Sequence, residues 1–221
     1  RLHQLMDLED RLPDYEWIGV GRRSGGDEFS AIFYDTRRLT LLAHDTFWLS
    51  TTPNEPGSQS WDAALPRIAT WARLRDQRTG DSLFVLNTHF DHESEEARVK
   101  SARLISETVG ALAKGDPIVV MGDFNATPSA PPYQILTRSG ENAPSVPLRD
   151  AKEVSEQPHH GPTSTFSNFE SAVLPDRRID YIFVGPQVSV RRHGHLSDRW
   201  NGDFPSDHLP VLAEVVLRPS E

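Results

Sequence analysis

A chain of 221 residues with 37% hydrophobic and 25% charged residues is typical of a soluble globular protein, and we expect one domain over residues 1–221. The absence of cysteine excludes disulfides, thiolate catalysis and cysteine-bound zinc, so any metal must be held by oxygen or imidazole. The formal net charge of -9 opposes non-specific binding to nucleic acids or anionic membranes, and no apolar run reaches the roughly 18 residues of a membrane span. We therefore expect a monomer in the cytoplasm.

The first elements are predicted from spacing and turn residues. Four leucines recur at helical spacing from the second residue onwards: Leu2, Leu5, Leu8 and Leu12. Because this helix is already under way at Arg1, we expect an N-terminal piece of the protein to be missing. Residues 15–20 and 29–34 are predicted strands, and the glycine-rich residues 21–26 between them favour an antiparallel hairpin.

Strands dominate the rest of the chain. Seven more β-type runs are separated by Pro, Gly, Asn and Asp: 47–49, 68–74, 83–87, 118–121, 179–184, 188–191 and 211–216. The long helical pattern over residues 94–114 has one apolar face and is predicted to cover a sheet. The Pro- and Ser-rich residues 52–60 and 143–162 are predicted surface loops. This pattern predicts a layered sandwich with its function in loops at one end.

The first candidate for chemistry follows the apolar run at residues 118–121. Gly122, Asp123, Phe124 and Asn125 come directly after it. If the chain stays extended there, Asp123 and Asn125 point to one side while Phe124 packs on the other. A carboxylate and a carboxamide at a strand end suit a hard cation and a phosphate. The alternative, with about even weight, is that the two polar residues only make a turn.

Three further polar motifs lie at or inside predicted strands. Asp207 and His208 precede the strand at 211–216, where the carboxylate could bind Mg²⁺ and the imidazole could exchange a proton or bind phosphate. Taken alone, this pair is more often simply solvated. His89 closes the strand at 83–87, and Asp180 interrupts an apolar strand. A buried Asp180 needs a cation or donors, which a neighbouring histidine or an adjacent arginine could supply.

The order of these four motifs is more specific than any one of them. Asn-Thr-His, Gly-Asp-Phe-Asn, Arg-Ile-Asp-Tyr-Ile and Ser-Asp-His follow one another along nearly the whole chain. This order resembles the endonuclease/exonuclease/phosphatase superfamily, which includes DNase I, apurinic endonucleases, sphingomyelinases, inositol polyphosphate phosphatases and deadenylases. The resemblance extends to residues 26–34. It implies a DNase I-like α/β (α+β) fold, a four-layer sandwich of two mainly antiparallel β-sheets packed face to face and flanked by helices.

The resemblance also implies roles for particular residues. Asp123 would orient or deprotonate the attacking water and contact the metal, with Asp207 near the same ion. Asn125 would hydrogen-bond the phosphoryl group. His208, held by Asp180, would bind the scissile phosphate and serve as acid or base.

The other side of the implied site contains His89, supported by Glu28. The implied cofactor is Mg²⁺, with Mn²⁺ as a substitute, and the implied reaction is in-line attack of water on phosphorus. Which histidine acts as the base stays open. The substrate also stays open, as a phosphodiester or a phosphomonoester, with nucleic acid among the candidates.

One departure from the superfamily concerns the metal. Its members have an asparagine and a metal-binding glutamate on a strand upstream of everything in this sequence. We expect these residues just before Arg1 in the complete protein, and weak Mg²⁺ binding without them. The alternative is a non-catalytic binding domain of the same fold that has lost its metal.

Several further residues allow two interpretations. Arg67 could clamp a phosphate or form a surface ion pair, and with Arg22 and Arg23 it could form a cationic rim. A lesser alternative function is a dinuclear-metal hydrolase that uses His89 and His92. Four other histidines lie in polar sequence and are expected to be solvated: His159, His160, His193 and His195.

Overall fold

The central element is a six-stranded sheet. In the computed structural model, which describes residues 1–23, 27–138, 146–169 and 175–218, its strand order is β3-β4-β5-β6-β8-β7. The elements in chain order are α1 Leu2–Arg11, β1 Tyr15–Ile18, β2 Ile32–Asp35, β3 Leu39–Trp48, β4 Ile68–Asp76, β5 Ser82–His89, α2 Glu95–Leu112, β6 Ile118–Asp123, α3 Pro131–Thr137, β7 Arg149–Asp150, β8 Asp180–Val184, β9 Val188–His195 and β10 Val211–Leu217. Only β5 and β6 pair in parallel, and the other neighbours in this sheet are antiparallel.

Helices α2 and α3 cover one face of the sheet. Helix α2 begins after Ser94, whose side chain accepts a hydrogen bond from the backbone N–H of Ala97, and its first turn is acidic, as the helix dipole favours. Its residues Ala102, Ile105 and Val109 are fully or almost fully buried in a cluster with sheet side chains such as Phe84. This burial, and not helix propensity, is the main source of the helix's stability.

The opposite face is covered by two separate antiparallel pairs of strands. Ile18 of β1 and Ile32 of β2 pack in a cluster with Leu74 of the central sheet. Strands β9 and β10 pair with each other and pack through Val188 and Val190 against the other half of this face of the central sheet. The expected second sheet therefore consists, within the described ranges, of two two-stranded sheets.

Helix α1 lies against β1, with Leu5 as its buried residue. The layers are therefore a helix, the paired strands, the six-stranded sheet, and two helices. Among the described residues, no helix combines the length and the apolar character needed to cross a membrane.

The observed elements differ from the predicted ones where tertiary contacts determine the bounds of a strand or helix. Strand β2 begins at Ile32, since Phe29 forms only an isolated bridge with Gly21. Strand β3 begins at Leu39, well before the predicted run at 47–49, and α3 and β7 were not predicted. Parts of the predicted turn at 21–26 and loop at 143–162 fall outside the described residues.

Strand β9 corrects one prediction about exposure. It continues beyond residue 191 to His195, so that His193 and His195 are 3% and 1% exposed and are not solvated. The sequence around them is polar, and their burial comes from a neighbouring segment of the chain. His160 is exposed, as predicted.

Gly122 permits the close approach of β5 and β6 just before the strand end. Its φ of 142° lies in a region that glycine adopts readily, and a Cβ at this position would overlap the Thr88 carbonyl group. Because the next residue is Asp123, this glycine sets how near the polar ends of the two strands come.

We predict that Gly122→Ala destabilises the protein by more than about 3 kcal/mol, because backbone strain and a steric overlap add. Gly80 also has a positive φ, of 82°, but nothing lies within 4 Å of its Cβ position. Gly80→Ala therefore measures the cost of backbone strain without a steric overlap. We expect that control to cost about 1 kcal/mol. Urea unfolding of both variants measures the difference, and equal losses would contradict the close approach.

Candidate active site

The register of three neighbouring strands places three polar side chains in one row. Asp123 at the end of β6 pairs with His89 of β5 and with Asp180 of β8. Residues that pair directly across strands project on the same face of a sheet. The distance from His89 Nε2 to Asp123 Oδ2 is 3.3 Å. The sequence-predicted residues His89, Asp123 and Asp180 are thus brought together by strand pairing alone.

Phe124 and Asn125 end the strand in opposite ways. Phe124 is 2% exposed and packs edge-to-face against Phe90 and Phe183 in the core. Asn125 has a φ of 46°, so the chain turns here and does not stay extended. Its backbone N–H donates to Asp123 Oδ1 at 2.8 Å, and its side-chain amide lies 3.4 Å from Asp123 Oδ2. The turn itself therefore brings the carboxamide to the carboxylate.

His208 reaches the same row from the loop before β10. Its Nδ1 lies 2.8 Å from Asp180 Oδ2, and its Nε2 lies 4.0 Å from Asp123 Oδ2. Backbone hydrogen bonds hold this loop, such as the one that the Leu209 N–H donates to the Thr165 carbonyl at 2.7 Å. Burial alone would lower the pKa of His208, but the hydrogen bond and charge of Asp180 outweigh it and raise that pKa to about 9.

Glu28 supports His89 on the far side of the row. Glu28 Oε1 lies 2.6 Å from His89 Nδ1, and the guanidinium groups of Arg22 and Arg67 approach the same oxygen at 3.2 and 3.4 Å. The hydrogen bond with His89 is the main cause that lowers the pKa of Glu28 to about 2. The carboxylate is therefore ionised over the whole working range of pH and fixes the orientation of the imidazole.

Arg67 and Arg22 do not form an exposed cationic rim. They are 4% and 8% exposed, and burial lowers the pKa of Arg67. Besides Glu28, Arg67 contacts His92 Nδ1 at 2.9 Å and approaches Asp91 Oδ2 at 3.7 Å. Its contacts are those of a supporting residue within the protein and leave little of its surface for a substrate phosphate.

Asp91 is a supporting residue that the sequence analysis did not single out. It is 1% exposed, and its carboxylate accepts hydrogen bonds from the backbone N–H groups of Ala64, Glu93 and Ser94. These bonds tie the start of α2 to the loop before β4. The sequence contains one indication of this role: Asp91 lies two residues after His89, with the apolar Phe90 between them.

The carboxylate of Asp123 lies at the centre of the row. Burial, and then the neighbouring carboxylate of Asp180, raise its pKa above the ordinary value. Two adjacent carboxylates repel each other, so this arrangement favours positive charge, which the His208 imidazolium supplies in the metal-free protein and a bound cation would increase. Asp123, Asp180 and His208 offer ligand atoms within 4.8 Å of one another, and carboxylate oxygens are the donors that Mg²⁺ prefers.

The second predicted metal residue lies beside this group and not within it. The carboxylate of Asp207 contacts Ser206 Oγ at 3.4 Å, and its backbone carbonyl accepts from Ser167 N–H at 2.7 Å. In the described part of the chain, neither group of side chains competent to bind a metal includes Asp207, His89 or His92. The dinuclear centre based on His89 and His92 therefore has no support in this geometry.

The sequence and the structure were compared with known proteins. The sequence matches the Endonuclease/Exonuclease/phosphatase family over residues 7–208. A family crystal structure from Bacteroides vulgatus is 37% identical, with a TM-score of 0.89 over 98% of this chain and 81% of that one. The mannosyl-6-phosphatase structure from Bacteroides thetaiotaomicron is 36% identical, with a TM-score of 0.87 over 98% of this chain and 82% of that one.

A curated relative is more distant and much longer. The 3'-5'-exoribonuclease subunit Ccr4 of the CCR4-Not complex from Candida albicans is 26% identical over 68% of this chain, which covers 24% of that protein. Together with the family match over residues 7–208, the solved structures confirm the resemblance seen in the sequence. The chain belongs to the endonuclease/exonuclease/phosphatase family and has its DNase I-like fold.

We predict that Asp180→Asn lowers the pKa of His208 from about 9 towards its ordinary value of 6.5. The variant removes the charged partner at 2.8 Å. Burial, which disfavours the imidazolium, and the charges of Asp123 and Asp207, which favour it, remain. NMR titration of the imidazole resonances in metal-free protein measures this shift. An unchanged midpoint would show that Asp180 does not hold the proton on His208.

The same pair predicts a pH dependence of stability. Because the folded pKa of His208 lies above 6.5, its protonated form contributes stability fully below that pH, and the contribution is lost as the pH rises through about 9. The difference in unfolding free energy between the wild type and Asp180→Asn should narrow over this window. A difference that grows with pH in urea unfolding would contradict the sign.

Proposed function

We propose that the protein is a Mg²⁺-dependent hydrolase of phosphate esters, with Mn²⁺ as a substitute, that works by in-line attack of water on phosphorus. The observation that carries the proposal is the position of Asp123, a partly buried carboxylate with a raised pKa between the Nε2 atoms of His89 at 3.3 Å and His208 at 4.0 Å. A strained electrostatic arrangement of this kind is more frequent at functional sites than elsewhere.

Asp123 is the residue that orients and deprotonates the water. A carboxylate whose pKa is raised accepts a proton more readily near neutral pH than an ordinary one. Asn125 donates one amide N–H to the Phe90 carbonyl at 3.1 Å and holds the other beside this carboxylate at 3.4 Å. The second N–H, in the longer contact, is the one that would donate to a phosphoryl oxygen as negative charge develops. Both side chains are fixed by the turn after β6, so they meet a substrate with little reorganisation.

The two histidines act from opposite sides of Asp123. With its pKa at about 9, His208 carries a proton at neutral pH, which suits it to bind a phosphate oxygen or to protonate a leaving group. His89 turns Nδ1 to Glu28 and therefore presents Nε2 to the site. Asp180 and Glu28 are positioning residues, since each holds one imidazole through a single hydrogen bond.

Asp123 is also the metal ligand that we propose first, because it belongs to the cluster with Asp180 and His208 and carries the raised pKa. When bound, Mg²⁺ supplies stabilisation of negative charge on the phosphoryl oxygens. Asp207 stays a predicted ligand, one that would need its carboxylate to turn towards Asp123.

The substrate that we propose is a sugar phosphate monoester. One of the similar solved structures is a mannosyl-6-phosphatase at 36% identity, and the net charge of -9 opposes avid binding to a polyanion. The burial of Arg22 and Arg67 also leaves the site without the predicted cationic rim. The monomeric state and the cytoplasmic location stay predictions.

We predict that phosphate release in Mg²⁺ falls by about 10³-fold in both Asp123→Asn and His208→Ala, the usual size of losing one group that acts on the transition state. Asp45→Asn and His44→Ala are the matched controls, because both residues are exposed on the edge strand β3. The controls should keep wild-type activity. Retention of most activity by either site variant contradicts the assignment.

The substrate class is tested with one panel under the same conditions: mannose 6-phosphate, bis(p-nitrophenyl)phosphate and single-stranded RNA. We expect the monoester to be the best substrate by kcat/KM. A preference for RNA would overturn the substrate proposal and keep the reaction class. If no member is hydrolysed with Mg²⁺ or Mn²⁺, the non-catalytic binding domain becomes the better interpretation.

A further inference from the structure

Three imidazoles meet on the outer strand pair, apart from the proposed catalytic row. His193 and His195 alternate on β9 and therefore project from one face. His159 comes from a neighbouring segment that runs parallel to β9, with bridges from Ser155 to Val190 and from His160 to Gly194. The ring centroids of the three imidazoles, which we call the histidine cluster, lie 4.5 to 5.2 Å apart.

One backbone carbonyl fixes where two of the rings carry their hydrogens. The Pro162 carbonyl oxygen lies 2.7 Å from His195 Nδ1 and 2.9 Å from His159 Nε2. A carbonyl can only accept, so both of these nitrogens are N–H donors. His195 is 1% exposed, and burial favours the neutral ring, in which the other nitrogen, Nε2, bears a lone pair.

That lone pair, on His195 Nε2, accepts no hydrogen bond from the described residues. His195 is 1% exposed, and its Nε2 is buried without a hydrogen-bond partner among them. An unpaired buried polar atom is costly and is uncommon in folded proteins. His159 Nδ1 lies 3.0 Å from His193 Nδ1, so one of these two nitrogens donates a hydrogen bond to the other. The free electron pair inside the cluster is therefore that of His195 Nε2.

This is the hydrogen-bond pattern of metal-binding histidines. A ligating histidine commonly donates its second ring N–H to a backbone carbonyl, as His195 and His159 do to Pro162. Each residue of the cluster offers one ligand atom, and these atoms lie within 4.8 Å of one another. In a tetrahedral zinc site, ligand nitrogens are about 3.3 Å apart, which small ring rotations reach. Imidazole ligands select Zn²⁺ or a similar transition metal over Mg²⁺.

Two nearby cations might be expected to repel a metal, but both are paired. Arg178 forms an ion pair with Asp150 at 2.7 Å and approaches Glu153 at 3.6 Å. Lys152 lies 3.3 Å from Glu153. Their positive charges are thus balanced by adjacent carboxylates.

We propose that His159, His193 and His195 form a second, structural metal site that binds Zn²⁺ or a similar transition-metal ion. A metal there would fasten the segment around His159 to β9. The chain then runs from Pro162 to Thr165 and Ser167, whose backbone groups hold Leu209 and Asp207 on either side of His208. The proposed site therefore stabilises the loop that carries His208, and the observations behind it do not rest on the proposed activity.

The test is zinc retention by protein stripped with EDTA, incubated with Zn²⁺ in excess Mg²⁺, and desalted. We predict one zinc ion per wild-type chain, and affinity about 100-fold weaker in His159→Gln and His195→Gln, as expected for loss of a ligand. His160→Gln is the matched control, because His160 is adjacent but exposed. Asp123→Ala should retain zinc, which separates this site from the catalytic row.

Visible absorption of the Co²⁺-substituted protein gives a second readout, since tetrahedral Co²⁺ absorbs strongly, and His159→Gln should remove that absorption. Circular dichroism in EDTA identifies variants that do not fold. If His195→Gln is one of them, His159→Gln decides the test, because His159 is only half-buried and its substitution disturbs the fold less. The proposal fails if the wild type retains no zinc, if His160→Gln loses it equally, or if retention depends on Asp123 and not on His159.

Discussion

The structure depends on keeping a partly buried carboxylate, Asp123, next to a second carboxylate at the ends of two strands. This placement is unfavourable in isolation, because burial and like charge both oppose ionisation. It is maintained by strand register, which sets His89 and Asp180 on either side, and by Gly122, which lets β5 and β6 approach closely. A hydrophobic sheet thus supplies the energy that holds an electrostatically strained row in place.

The groups around this row form a second layer of constraints. Glu28 and Asp180 each fix one imidazole, and buried arginines balance the charge of Glu28. The loop of His208 is held by backbone hydrogen bonds from the segment around Thr165. Rigid sheet ends therefore position Asp123 and His89, whereas His208 depends on loop-to-loop contacts, which makes it the more vulnerable member of the site.

The sequence predicts what local patterns can express. The apolar run before Gly122 indicates β6, and the order of the four polar motifs brought His89, Asp123, Asp180 and His208 into one hypothesis. The start of β3 was missed because its alternation is short, over Leu39 to Leu42, and the next three residues are all exposed.

The burial of some polar residues was not predictable from neighbours along the chain. His195 lies in polar sequence and Arg67 is charged, yet contacts from distant segments enclose both. Hydrophobic spacing contains no signal for such enclosure, so the exposed positions expected for Arg22 and Arg67 in a cationic rim, and the solvation expected for His193 and His195, were wrong. The most direct test of the central claim is the anomalous scattering of Mn²⁺ in crystals at a concentration that supports turnover. The account predicts a peak in contact with the Asp123 carboxylate, and a fully active protein whose Mn²⁺ binds only elsewhere would contradict it.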